Sequence, residues 1–147
     1  MKEPLLVSAC LLGVNCKYNG GNNSLPAETL AALEEHYRLV PVCPERDGGL
    51  PTPRVPSERR GSGVFTREGE DVTALFRRGA EIALETATAR VCRVALLKER
   101  SPSCGAGAIY DGSFTGTVIP GDGITAELLR KNGLTLTGET DVGKLLD

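Results

Sequence analysis

Three short apolar runs constrain this chain more than any other feature: LLVSA at 5–9, RLVPV at 38–42 and RVALL at 93–97. Each is too short for a typical helix and is almost uninterrupted by polar residues, the mark of a strand buried on both faces. Segments of helical period separate them. Leu25–Tyr37 carries apolar residues at 30, 33 and 37, with Pro26 suited to the first turn and Ser24 near the N-cap. Thr73–Thr88 is a second helix with Asp71 or Thr73 as cap. Ile124–Asn132 is a third, preceded by Asp122 and closed by Gly133 at C′. VFT (64–66) and LTLTGE (134–139) read as further short strands, and Ala108–Val118 as a hairpin turning at DGS. Strand and helix in alternation predict right-handed crossovers. The expected fold is therefore α/β: a single-domain, three-layer, Rossmann-like arrangement with a mainly parallel sheet and a small β-hairpin. A length of 147 residues, without internal repeat or linker, fits one domain over 1–147.

The strands end in an unusual way. Cys10 closes the first run, Cys43 the second, and Cys104 follows the third in LKERSPSC. Loops leaving the carboxyl ends of parallel strands share one edge, where open α/β sheets bind ligands. Three thiols far apart in sequence are thus expected to converge. A buried structural cysteine explains any one of them, but not three at matching positions beside turn residues. The segment Cys43–Gly63 holds four of the nine prolines and four glycines, and a long ordered loop of this kind is usually functional. Pro41 suggests an irregular or edge-like end to the second strand. Of the five cysteines, Cys92 precedes a strand and reads as core. Cys16 fits a ligand, a redox partner of Cys10 or a loop residue. The only histidine, His36, falls inside a helix away from the strand ends.

Composition narrows the chemistry. An odd number of cysteines and a domain large enough to build a core argue against a disulfide framework. The N-terminus lacks a signal-peptide pattern and no apolar run reaches membrane-spanning length, so the expected location is the cytoplasm, with reduced thiols. A net charge of −2, no Trp, and only three Tyr and three Phe give neither the basic footprint nor the stacking aromatics of nucleic-acid binding. A small-molecule partner is expected, without nucleic acid or membrane. Among thiolate chemistries, structural zinc favours four ligands, commonly with CxxC pairs, and none occurs here. An iron–sulfur cluster also takes thiolates. Three on one cubane leave an iron free for a soft substrate atom. Gly13, Gly48, Gly49, Gly105 and Gly107 either let the backbone approach such a cluster or form turns.

The stretches CLLGVNCKYNG, CPERDGGLPTPRVPSE, LKERSPSCGAGAIYDG and GDGITAELLRKNG resemble the small bacterial 2-thiouracil desulfurase family from Val7 to about Gly138. The resemblance implies a [4Fe-4S] cluster held by Cys10, Cys43 and Cys104. It also implies non-redox removal of a thiocarbonyl sulfur, as in 2-thiouracil to uracil plus sulfide. Glu45, two residues after Cys43, is then the base for the attacking water. Ser101 is a second catalytic candidate and Ser103 a substrate-binding one, against the alternative of an ST-turn closing the loop. Arg54 and Glu58 line the pocket or pair with each other to fix the long loop. Other readings are a cluster- or metal-bearing ligand sensor without turnover, and a thiol redox protein using Cys10 and Cys16.

Overall fold

The computed structural model describes residues 2–147. The three apolar runs form β1 (Glu3–Ser8), β2 (Tyr37–Val42) and β5 (Val94–Leu97), and the LTLT segment forms β8 (Thr135–Gly138). They make one parallel sheet of order β2-β1-β5-β8. Leu5, Leu6 and Val7 are fully buried because β1 is central and covered on both faces. Leu6 joins Val40, Ala95 and Leu97 under α3 (Thr73–Ala89) and α4 (Ile124–Lys131). Leu5, Val7 and Leu96 face the opposite way, onto Leu33 of α1 (Ala27–His36) and the C-terminal 3-10 segment Glu139–Leu145. The result is the expected three layers. β2 is an edge strand, where Pro41 is tolerated.

α3 buries Phe76, Gly79, Ala80, Ala83 and Ala87. Its small residues let the short α2 (Pro44–Asp47) settle directly on it. A Cβ on Gly79 would collide with the Pro44 carbonyl, and one on Gly48 with the Leu75 carbonyl. Two antiparallel ribbons flank the sheet: β3 (Ser57–Arg60) with β4 (Gly63–Thr66), and β6 (Ala108–Tyr110) with β7 (Val118–Pro120).

Several sequence expectations shift. α1 starts at Ala27, with Pro26 as N-cap rather than in the first turn, and Ser24 does not cap it: its hydroxyl bonds the Leu25 carbonyl. Tyr37 opens β2 instead of ending the helix, and its hydroxyl donates to the Leu145 carbonyl (2.8 Å). At α3 the N-cap is Val72; Asp71 accepts the Thr73 N–H (2.9 Å) from one position earlier. α4 ends one residue early, at Lys131, with Asn132 as C-cap, while Gly133 takes the expected C′ place, left-handed at φ 90°. The 108–118 hairpin does not turn tightly at DGS; a loop from Asp111 to Thr117 joins its strands, closed by Asp111 N–H to Thr117 O (3.0 Å). Strand β3 was not expected at all. Among the described residues, no helix is long and apolar enough to cross a membrane.

Candidate active site

The chain passes from β1 to β2 on one side and then crosses to β5 on the other, so the sheet order reverses between β1 and β5. Such a switch point opens a crevice beyond the carboxyl ends of the strands. Here that crevice is a cleft of ≈ 700 Å³ lined by Cys10, Cys16, Cys43 and Cys104 together with Glu45, Ser101 and Ser103. Each cysteine arrives by a local rule. Cys10 sits in the single 3-10 turn Ala9–Leu12 that follows β1. Cys43 is the N-cap of α2, and the Asp47 carboxylate reaches back to accept its N–H (3.1 Å). Cys104 lies in a turn knotted by Ser101, whose Oγ accepts the N–H groups of Ser103 and Cys104 (both 3.1 Å).

All five cysteines are free thiols. Burial pushes the Cys104 thiol up to about 12, against hydrogen bonds from Ser8 and Ser103 that pull it down. Burial and the neighbouring Cys43 push Cys16 up to about 12. Burial also raises Cys10, opposed by a hydrogen bond from Asn23. Without a cation beside them these thiols stay protonated at neutral pH.

Glu45 is the polar hub beside them. One carboxylate oxygen, Oε1, accepts from Arg54 Nε (3.2 Å) and lies 3.1 Å from Nη2 in an ion pair. The other, Oε2, accepts from Ser103 Oγ (3.0 Å) and Ser101 Oγ (3.4 Å). The two hydroxyls touch each other at 2.9 Å, and Ser103 Oγ also reaches Cys104 Sγ (3.7 Å). Ser101 therefore closes the ST-type turn and faces Glu45 at once, whereas Ser103, 1% exposed, is committed to the Glu45 side. Arg54, with its side chain only 7% exposed, also donates to the carbonyls of Cys16 (3.0 Å) and Pro51 (3.2 Å).

The structure thus brings Cys10, Cys43, Cys104, Glu45, Ser101 and Ser103 together, and adds Cys16, which is 2% exposed and in the same cleft. Cys92 packs in the α3–α4 core instead. Arg54 and Glu58 both line the cleft but do not pair. Arg54 takes Glu45, and Glu58 accepts backbone N–H groups of the β6–β7 loop. The five glycines do not wall the cleft. Gly48 is forced by contact with α3, and Gly105 by contact with the Ser101 backbone. Gly13, Gly49 and Gly107 serve left-handed turns. Two residues missed from sequence stand out. Ser8, at the end of β1, accepts the Lys98 N–H (2.9 Å) and ties two strand ends together. Lys98 is clamped by Glu139 (2.8 Å) inside the cleft. Only the recurrence of polar residues after apolar runs hinted at either.

Among the described residues, no three His, Cys, Asp or Glu side chains converge on a single-ion position. The thiols are spread instead around the cleft, on the three loops that follow β1, β2 and β5. An all-sulfur donor set suits soft iron, and a cubane holds its thiolates at separate corners, so these residues fit a cluster.

An α/β fold that gathers cysteines, a carboxylate and two serines in one cleft at its topological switch point has the donor set of an iron–sulfur metalloenzyme. The chain belongs to the 2-thiouracil desulfurase family, which it matches over residues 5–141. It is 39% identical over 152 residues to the uncharacterized protein YbbK of Bacillus subtilis (strain 168), covering 97% of this chain and 99% of that protein. A solved structure of a [4Fe-4S]-dependent thiouracil desulfidase, TudS, is similar at 49% identity with a TM-score of 0.93, over 98% of this chain and 95% of that one.

Proposed function

We propose that this chain is a [4Fe-4S]-dependent thiouracil desulfurase that converts 2-thiouracil to uracil and sulfide without net electron transfer. Cys10, Cys43 and Cys104 hold the cluster. Glu45 is the base, Ser101 its catalytic partner and Ser103 a substrate-binding group. The observation that carries this reading is the meeting of three strand-end cysteines with Glu45 in one cleft, in a chain of this family. When bound, the cluster supplies a soft Lewis acid at the iron without a protein thiolate.

The chain's own residues supply the rest. Glu45 Oε2 takes a proton from water aimed at the thiocarbonyl carbon. The Oγ atoms of Ser103 and Ser101 are bonded to that oxygen and to each other, so they pass the proton on or donate to the pyrimidine edge. Arg54 holds Oε1 and so fixes which carboxylate oxygen faces the cleft. The substrate is a free thiolated nucleobase rather than intact nucleic acid, in keeping with the net charge of −2. No membrane is involved, the protein works in the cytoplasm, and residues 1–147 act as one cluster-binding domain. A sensor without turnover has no use for a carboxylate–serine relay beside its ligands.

The test is anaerobic reconstitution followed by turnover in oxygen-18 water. About four irons and four sulfides per chain, uracil formation and label in the product carbonyl are expected. A stoichiometric demand for an electron donor, or an unlabelled product, overturns the mechanism.

A further inference from the structure

The loop of the β6–β7 hairpin forms part of the cleft wall, and its construction has no explanation in the core. Phe114, Gly116 and Tyr110 line the cleft that holds the cysteines. Phe114 is half-buried and belongs to none of the hydrophobic clusters of the fold. Its backbone is left-handed at φ 58°, a conformation that costs a bulky residue free energy and persists only where surrounding contacts impose it.

Those contacts come from β3 and the turn after β4. Glu58 Oε1 accepts both the Gly112 N–H (3.0 Å) and the Phe114 N–H (3.1 Å) across more than fifty residues of sequence. Gly112 lies so close to β3 that a Cβ there would stand 3.1 Å from the Arg59 carbonyl. The Arg67 guanidinium sits over the Phe114 ring, 6.0 Å from its centroid. In a chain with only three phenylalanines and no tryptophan, one is thus held in a strained pose beside the reaction cleft and backed by a cation.

We infer that Phe114 is a specificity residue, a wall against which the flat ring of the substrate stacks, and that Glu58 is the positioning residue that holds it there. The inference rests on the desulfurase reading and deepens it: the enzyme selects planar thiocarbonyl heteroaromatics over saturated or acyclic thioamides. A π face recognises flat rings without regard to their hydrogen-bonding edges, leaving those edges to Ser101 and Ser103.

The experiment compares kcat/KM of the reconstituted enzyme for 2-thiouracil and for its 5,6-dihydro derivative, which keeps the thioamide and loses the planar ring. Base–aromatic stacking of ~1–3 kcal/mol corresponds to about 5- to 150-fold. Phe114→Leu, which keeps apolar bulk without the π face, is expected to lose kcat/KM on 2-thiouracil within that span. The loss falls mainly on KM, with little change on the dihydro compound and none in the cluster's visible spectrum. Phe114→Tyr should restore wild-type selectivity. Glu58→Ala should reproduce the selectivity loss and speed hydrogen exchange at the Gly112 and Phe114 amides. Glu58→Gln, which keeps an acceptor at Oε1, should rescue most of both. Equal losses on the two substrates, or none, overturn the role of Phe114. Unchanged exchange in Glu58→Ala overturns the clasp. A wild-type protein that never turns over 2-thiouracil overturns the desulfurase reading and this inference together; one that does, with an unaltered ratio in Phe114→Leu, overturns this inference alone.

Discussion

Replacing Glu45 by Gln separates the proposed base from its scaffold, because the two side chains are nearly isosteric and the surroundings of Glu45 suit both. Oε1 accepts one guanidinium N–H, from Arg54 Nε, which an amide oxygen accepts as well. Oε2 faces two serine hydroxyls: Ser103 Oγ can turn to accept from an amide NH2 and donate to Cys104 Sγ, while Ser101 Oγ, already accepting two backbone N–H groups, donates to Ser103. No buried polar atom need be orphaned. The structural loss is the charge-assisted part of the Arg54 contact, about 1–2 kcal/mol by comparison of charged with neutral hydrogen bonds. For a chain of this size that lowers Tm by roughly 2–8 °C. The functional loss is larger: general-base catalysis contributes typically ~10²–10⁴-fold, so kcat for 2-thiouracil should fall in that range with iron content intact. Anaerobic steady-state uracil formation, iron analysis and a thermal melt on one preparation read all three. Activity within a few-fold of wild type refutes the reasoning and assigns water activation elsewhere.

Other consequences follow from the same geometry. Cys43→Ala should lose the cluster on anaerobic reconstitution, whereas Cys92→Ala, in the α3–α4 core, should keep it; iron content decides. Arg54→Ala strips Glu45 Oε1 of its donor and its counter-charge at a largely buried pair, and breaking such a pair by removing one partner costs about 3–5 kcal/mol; urea unfolding should show it, and a change under about 1 kcal/mol would refute the pairing. Asp122 tests pH. Burial pulls its carboxyl up, but the Arg130 hydrogen bonds and the Gly107 N–H outweigh burial and hold it below the usual range. Its stabilisation is therefore complete above the ordinary carboxylate pKa of about 4 and fades as pH drops through the lower folded value. Asp122→Asn should cost stability at pH 7 and progressively less below pH 4, as followed by urea midpoints; a pH-independent difference would refute the assignment.

The central strands were legible because a strand buried on both faces writes itself as a continuous apolar run, as in Leu5–Val7. The cysteine convergence was legible because topology alone carries strand ends to one edge. β3 was not, since Ser57, Glu58, Arg59 and Arg60 have no apolar period and owe their register to pairing with β4. Nor was the partner of Arg54. Glu58 stands four residues from it in sequence and Glu45 nine, and only the fold of the loop back onto α2 chooses the more distant Glu45. The glycines misled for a related reason: close approach was the right physics for Gly48, but the approaching group is helix α3.

That contact between α2 and α3 makes Gly79 an unusual kind of functional position. It lies on the helix away from the chemistry and carries no reactive atom. Yet it sets the height at which Pro44 rests, and Pro44 stands between Cys43 and Glu45. A methyl group there lifts α2 off its bed. The far face of the sheet, with its core of Leu5, Val7 and Leu96 on α1, does not touch α3. Variation at Gly79 would then sort apart two properties that usually travel together, leaving a protein that folds, melts cooperatively and has lost the registry between Cys43 and the Glu45 carboxylate.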